Sequence, residues 1–110
     1  MLKGHLDLLL LSVVGAGPAH GYAIIERLKA RSGEAFDLAE GTVYPALHRL
    51  EAAKLLRSRW STAAESPRKR RIYELTPGGK AALRSRSDEW ARFVDGINAV
   101  LGGAPWPKTS

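Results

Sequence analysis

Residues 41–75 read GTVYPALHRLEAAKLLRSRWSTAAESPRKRRIYEL, and the fold turns on a change of hydrophobic period inside this stretch. Val43, Ala46, Leu47 and Leu50 recur every three or four residues, which is one stripe of a helix. This spacing predicts a helix from about Gly41 to Ala53. Pro45 has no N–H to donate and fits best in a first turn, so the start is expected close to Gly41 or Thr42; a start nearer Glu40 would need a kink at Pro45. From Leu56 the period drops to two. Leu56, Ser58 and Trp60 alternate with Arg57, Arg59 and Ser61, and Arg71, Tyr73 and Leu75 alternate with Ile72 and Glu74. Two short strands joined by a small, polar, basic loop around residues 62–69 make a hairpin. Trp60 is expected in the core at the base of that hairpin.

Upstream, Leu6, Leu9, Leu10, Val13 and Val14 form a helical stripe that Leu8 and Leu11 widen, so a first helix should be buried on much of its circumference until Gly15 stops it. A second helix is expected from about His20 to Arg31. Ile24, Ile25 and Leu28 lie on one side, Lys29 and Arg31 suit the negative end of the helix dipole, and Gly33 is a stop signal. His20 is read as support for the turn into this helix.

Downstream, Thr76 can cap a last helix with Pro77 as its first residue, and Gly78 and Gly79 weaken that turn. Leu83, Trp90, Phe93, Ile97 and Val100 fall at heptad a and d positions, with Arg86 at the intervening d and with Val94 and Leu101 beside the seam. From Pro77 to Leu101 such a helix is about 37 Å long at ~1.5 Å per residue. It overhangs a domain built from the first 75 residues, so its seam calls for a second copy of the chain. The alternative is that it folds back on its own domain.

The order helix, helix, helix, hairpin, long helix is an α+β fold, mostly α: a winged helix-turn-helix followed by a C-terminal dimerisation helix. It divides the chain into a DNA-binding unit (1–75), a dimerisation helix (76–101) and a flexible tail (102–110) that contains Trp106.

The chain has 110 residues, 45% of them hydrophobic, enough for one domain with a real core. Its formal charge is +6, and the surplus is local: ten of the 17 Lys/Arg, but only Glu65 and Glu74 of the 11 acids, lie between Lys54 and Arg86. A concentrated cationic surface suits a polyanion, although a merely solvated face would have the same composition. The absence of cysteine rules out disulfides and cysteine-ligated zinc and fits a reducing cytoplasm. The longest apolar run, Leu8 to Leu11, is far shorter than the ~20 residues that span a bilayer, and no membrane association is expected. Asp7 and His5 interrupt the N-terminal apolar stretch, which is therefore not read as a leader. His5, His20 and His48 have no metal-ligand spacing, no nucleophile–base arrangement stands out, and Gly15-x-Gly17 is too weak to mark a phosphate loop. Neither a metal, a cofactor nor an enzymatic activity is expected.

A helix fits the major groove of B-DNA, ~12 Å wide, and the third helix would be the reader. With its stripe turned inward, Gly41, Pro45, His48 and Ala52 face out, flanked by Thr42, Tyr44 and Arg49. His48 and Arg49 can donate to base edges or phosphates. Thr42 and Tyr44 offer hydroxyls to phosphates near the helix start, although Thr42 is as well suited to capping. Pro45 and Ala52 could touch thymine methyls.

HGYAIIERL (His20 to Leu28), GTVYPALHRLE (Gly41 to Glu51), RSRW (Arg57 to Trp60) and PRKRRIYELTPGGKAAL (Pro67 to Leu83) resemble PadR-family transcriptional regulators, in the right order and over the chain from about Leu2 to Leu101. The single C-terminal helix is similar to the small subfamily. The resemblance implies a homodimeric, usually repressive regulator that binds an inverted-repeat operator in double-stranded DNA and is released by a small, often aromatic, effector. It implies that Tyr22, the third-helix residues around Thr42 and Tyr44, and the wing basics Arg68, Lys69 and Arg70 approach DNA. It also implies an effector role for Trp90, with Phe93 beside it, because some small members line a pocket for flat ligands with a tryptophan there. A dimer-core anchor is the plainer role for Trp90. Lys54 departs from the pattern, which has glycine at that helix end; the helix should still stop there, less comfortably.

Three other functions use the same features. A sequence-indifferent architectural or RNA-associated protein would use the charge alone. A protein–protein adaptor would turn the basic wing to an acidic partner. A ligand-sequestering dimer would make Trp90 its working residue.

Overall fold

A computed structural model describes residues 2–102, with side chains from His5 onward. The elements run α1 (Leu2–Gly15), β1 (Ala19–His20), α2 (Gly21–Arg31), α3 (Glu40–Ala52), β2 (Leu56–Trp60), β3 (Arg71–Leu75) and α4 (Pro77–Gly102). The strands form an antiparallel sheet in the order β1-β3-β2. This is a winged helix with a long C-terminal helix. The expected flexible tail lies outside the described residues except for Gly102, which closes α4.

The core follows from the hydrophobic stripes. Leu10, Leu11, Val13 and Val14 of α1, Ile24 and Leu28 of α2, and Val43, Leu47 and Leu50 of α3 pack around the sheet residues Leu56, Tyr73 and Leu75. Burying each such side chain contributes roughly 1.5–3 kcal/mol of transfer free energy. The two-residue strand β1 leaves no signal in the sequence. It is too short to show a period, and only its pairing of Ala19 with Tyr73 and His20 with Ile72 makes it a strand.

Helix α3 begins at Glu40, one residue before the expected range. Its N-cap is Ala39, which makes no side-chain cap bond, so Thr42 is not the cap. Pro45 therefore sits in the second turn, and the helix runs through it. The missing N–H leaves the Gly41 carbonyl without its usual intrahelical donor, at an exposed place where solvent can supply one. The helix stops where expected: Lys54 takes the left-handed conformation at φ 65°, the position at which a glycine would be unstrained.

Trp60 corrects the expected core placement: it is 54% exposed. On its face of the hairpin, Leu56 and Leu75 are buried, but the strands have run past the core by the time they reach the Trp60–Arg71 pair.

Helix α4 starts as expected. The Thr76 hydroxyl accepts the Gly79 N–H at 2.9 Å and donates to the Lys54 carbonyl at 2.7 Å. Gly79 is the buried residue of this helix, because the first turn presses onto the backbone at Leu55. Leu83 is half-buried and packs on its own domain's core, where an added Cβ at Gly15 would come within 3.1 Å of it. Arg86 and Trp90 still meet α1, and beyond them α4 carries an exposed apolar row, in a molecule with extents of 57 × 27 × 23 Å.

Candidate nucleic-acid interface

The reader helix is positioned by a close approach to α2. The Tyr44 ring lies directly on Gly21, where a Cβ would come within 2.4 Å of it. Glycine at 21 is therefore a packing requirement. It leaves Tyr44 half-buried between the two helices, more brace than projecting group. His20 caps α2 by accepting the Ala23 N–H on Nδ1 at 3.2 Å. Burial lowers its pKa below the ordinary imidazole value, and Arg70 and Arg27 lower it further. The neutral ring is the form that can accept at this cap.

On α3, Gly41, Thr42, Pro45, His48 and Ala52 share the exposed surface, as the period required. Tyr22, on the first turn of α2, is 52% exposed. Arg49, also exposed, has an intramolecular partner. Its Nη2 donates to Asp7 Oδ1 at 2.6 Å, and the other Asp7 oxygen lies 3.6 Å from Arg86 Nη1. One step of ~100° from His48 turns Arg49 to the flank of α3 beside α1, where a carboxylate holds it. Asp7 thus ties α3, α1 and α4 together, a role the sequence alone did not suggest.

The wing is an ordered loop. The Ser61 hydroxyl accepts the Arg70 N–H at 3.0 Å and donates to the Arg68 carbonyl at 3.3 Å, while the Ser61 N–H donates to the Arg70 carbonyl at 2.7 Å. Arg59 donates two bonds to Glu65, at 2.9 and 2.8 Å, and the Thr62 N–H adds a third at 2.8 Å. The Arg59 fork, with that N–H, pulls the Glu65 carboxyl down to about 2. Arg57 pairs with Glu74 across the ladder at 2.7 Å. By contrast, Arg68, Lys69, Arg70 and Arg71 have no carboxylate within ion-pair distance among the described residues. Arg68 and Lys69 are exposed and Arg70 is half-buried.

On α4, Phe93, Ile97, Val100 and Leu101 are exposed, Trp90 nearly as much, and Val94 is half-buried. Trp90 meets His5 edge-on at 4.8 Å and Phe93 at 5.6 Å. It forms one wall of an apolar groove of about 660 Å³ between α1 and α4, with Leu8, Leu9 and Phe36 on the other side. Among the described residues, no cluster of three or more side chains could hold a metal ion, and no helix is long and apolar enough to cross a membrane.

The model of the PadR-like family of transcriptional regulators matches residues 10–85. A transcriptional regulator of Mycobacterium tuberculosis is 41% identical over 87 residues, covering 76% of this chain and 77% of that one. The crystal structure of a PadR family transcription regulator from Clostridium difficile is 34% identical, with a TM-score of 0.78 over 90% of this chain and 100% of that one. A PadR-like transcriptional regulator from Bacillus cereus is 26% identical, with a TM-score of 0.81 over 94% of this chain and 98% of that one.

Proposed function

The chain belongs to the PadR-like family of transcriptional regulators, and from that premise we propose that it is a homodimeric repressor that binds an inverted-repeat operator in double-stranded DNA and is released by a small aromatic or hydrophobic effector. The observation that carries this reading is the uncompensated charge on the wing beside an exposed α3 face. Residues 1–75 are the reading unit and residues 76–101 the dimerisation helix. Thr42, Pro45 and His48 meet the major groove, Tyr22 and the Tyr44 hydroxyl meet phosphates at its edge, and Arg68, Lys69 and Arg70 meet the flanking backbone or minor groove. Arg49 is left out because Asp7 holds it.

Dimerisation is supported by the exposed row Trp90, Phe93, Ile97, Val100 and Leu101, with Val94 beside it. Burying such a row against a second copy removes apolar surface from water and sets two reader helices in successive major grooves, ~34 Å apart. The effector reading is supported by the groove at Trp90, with the Phe93 ring tilted beside it.

Six cations from two wings give a slope of roughly −5 in the logarithm of affinity against the logarithm of salt. Gel-shift titrations test the assignment. Arg70→Ala should weaken binding to every duplex, whereas His48→Ala should change which sequences are preferred. Unchanged binding in both variants would refute the assigned surface, and a monomer in sedimentation equilibrium would refute the dimer.

A further inference from the structure

We propose that Trp60 and Arg71 form a further DNA contact at the wing base, in which the indole holds the Arg71 guanidinium against an operator phosphate. The inference rests on the DNA-binding reading above and adds two residues to it.

Three observations carry it. The hairpin separates its charge by face. Arg57 and Arg59 lie on one face and are neutralised by Glu74 and Glu65. On the other face the rungs run Leu56–Leu75, Ser58–Tyr73 and Trp60–Arg71, from core to wing tip. Arg71, on the last rung, has no carboxylate partner among the described residues.

That face is the one turned to the reader helix. The Ser58 hydroxyl donates to Glu51 of α3 at 2.6 Å. Trp60 and Arg71 continue the same face one rung further out, beyond the cover of α3. Finally, the pair is preformed. The Arg71 guanidinium carbon lies 4.8 Å from the centre of the Trp60 ring. A flat guanidinium stacked on indole keeps its N–H edge available, the geometry suited to a phosphate. An exposed tryptophan that did no more than fill the hairpin would need no cation on its face. DNA is the fitting partner because the whole unpaired charge of this hairpin, Arg68 to Arg71, is positive and gathered at the same end.

Arg71 is then a phosphate ligand and Trp60 its positioning residue. The test uses the full chain and a duplex that the parent chain selects from a random-sequence library. Arg71→Ala should reduce the salt slope by about two per dimer, one phosphate for each protomer. Trp60→Ala should weaken binding roughly five- to thirtyfold, the range for losing one exposed cation–π contact in each protomer of the dimer, with Trp60→Phe recovering part of it. Thermal unfolding of each variant separates these effects from loss of fold, and Arg71→Gln serves should Arg71→Ala unfold. In a chain carrying Trp90→Phe and Trp106→Phe, the remaining Trp60 emission should change on adding the duplex. A parent-like salt slope in folded Arg71→Ala, or an emission indifferent to DNA, overturns the proposal and leaves the regulator reading standing. Failure of the parent chain to bind any duplex at low salt overturns both.

Discussion

Gly78 and Gly79 are adjacent, both in the first turn of α4, yet replacing each with alanine should move stability in opposite directions. A Cβ on Gly78 would lie 3.6 Å from the Thr76 hydroxyl oxygen and 3.7 Å from the Lys54 carbonyl oxygen, both ordinary contacts. Gly78→Ala therefore keeps the helix-propensity gain, about 0.5–1 kcal/mol. A Cβ on Gly79 would lie 2.0 Å from the Leu55 carbonyl oxygen and 3.0 Å from its carbon. Backbone cannot rotate aside as a side chain can. Leu55 is also held by the Thr76 N–H, which donates to that same oxygen at 3.1 Å. Roughly 1 Å must open between α4 and the α3–β2 turn, at the cost of that bond and of packing at Leu75. Overpacking of this kind typically costs ~1–3 kcal/mol, and the rigid obstacle puts Gly79→Ala at the upper end, a net loss of about 2–2.5 kcal/mol after the propensity gain. Urea unfolding followed by far-ultraviolet circular dichroism, at fixed protein concentration, reads both. With a slope near ~1.5 kcal/mol per molar, Gly79→Ala should lower the midpoint by roughly 1.5 M, and Gly78→Ala should raise it slightly. A Gly79→Ala midpoint equal to or above that of Gly78→Ala would refute the close approach.

Lys54→Gly should stabilise the chain by about 1 kcal/mol, because it relieves a lysine at φ 65°; a lower melting temperature would count against strain there. Asp7→Asn should cost no more than about 1–2 kcal/mol, since both arginine partners are partly open to solvent; the loss should shrink at high salt, and a salt-independent loss would show the ion pairs are not its source. The lowered pKa of His20 makes the unfolded chain bind its proton first as pH falls. Its contribution is thus fully present above the ordinary imidazole range and is lost on acidification through it. His20→Asn keeps an acceptor at the cap without titrating, so its unfolding free energy should fall less than the parent's between pH 7 and pH 5, as measured by denaturation at each pH.

Much of the architecture was legible before any tertiary contact was known. The stripes at Val43–Leu50 and Leu6–Val14, the alternation at Leu56–Leu75 and the Thr76-Pro77 start each report a local period or cap, and each lies where it was read. The exposed face at Pro45 and His48 followed from the same arithmetic. What no local pattern showed is where an element ends relative to its neighbours. Trp60 keeps the strand period but passes the edge of the core. Leu83 keeps the heptad but still lies over its own domain. Arg49 is on the expected surface, but its charge answers to Asp7, 42 residues away.

The amino-acid order alone determined which faces are apolar, where helices start and stop and where the positive charge gathers, because these depend on residues within a few positions of one another. Only the tertiary structure decided which cations keep their charge for a partner. It also decided which of two adjacent glycines has backbone pressed against it, and how much of α4 is left uncovered. Ion pairing, backbone approach and burial are set by atoms far apart in the chain, and no local period records them.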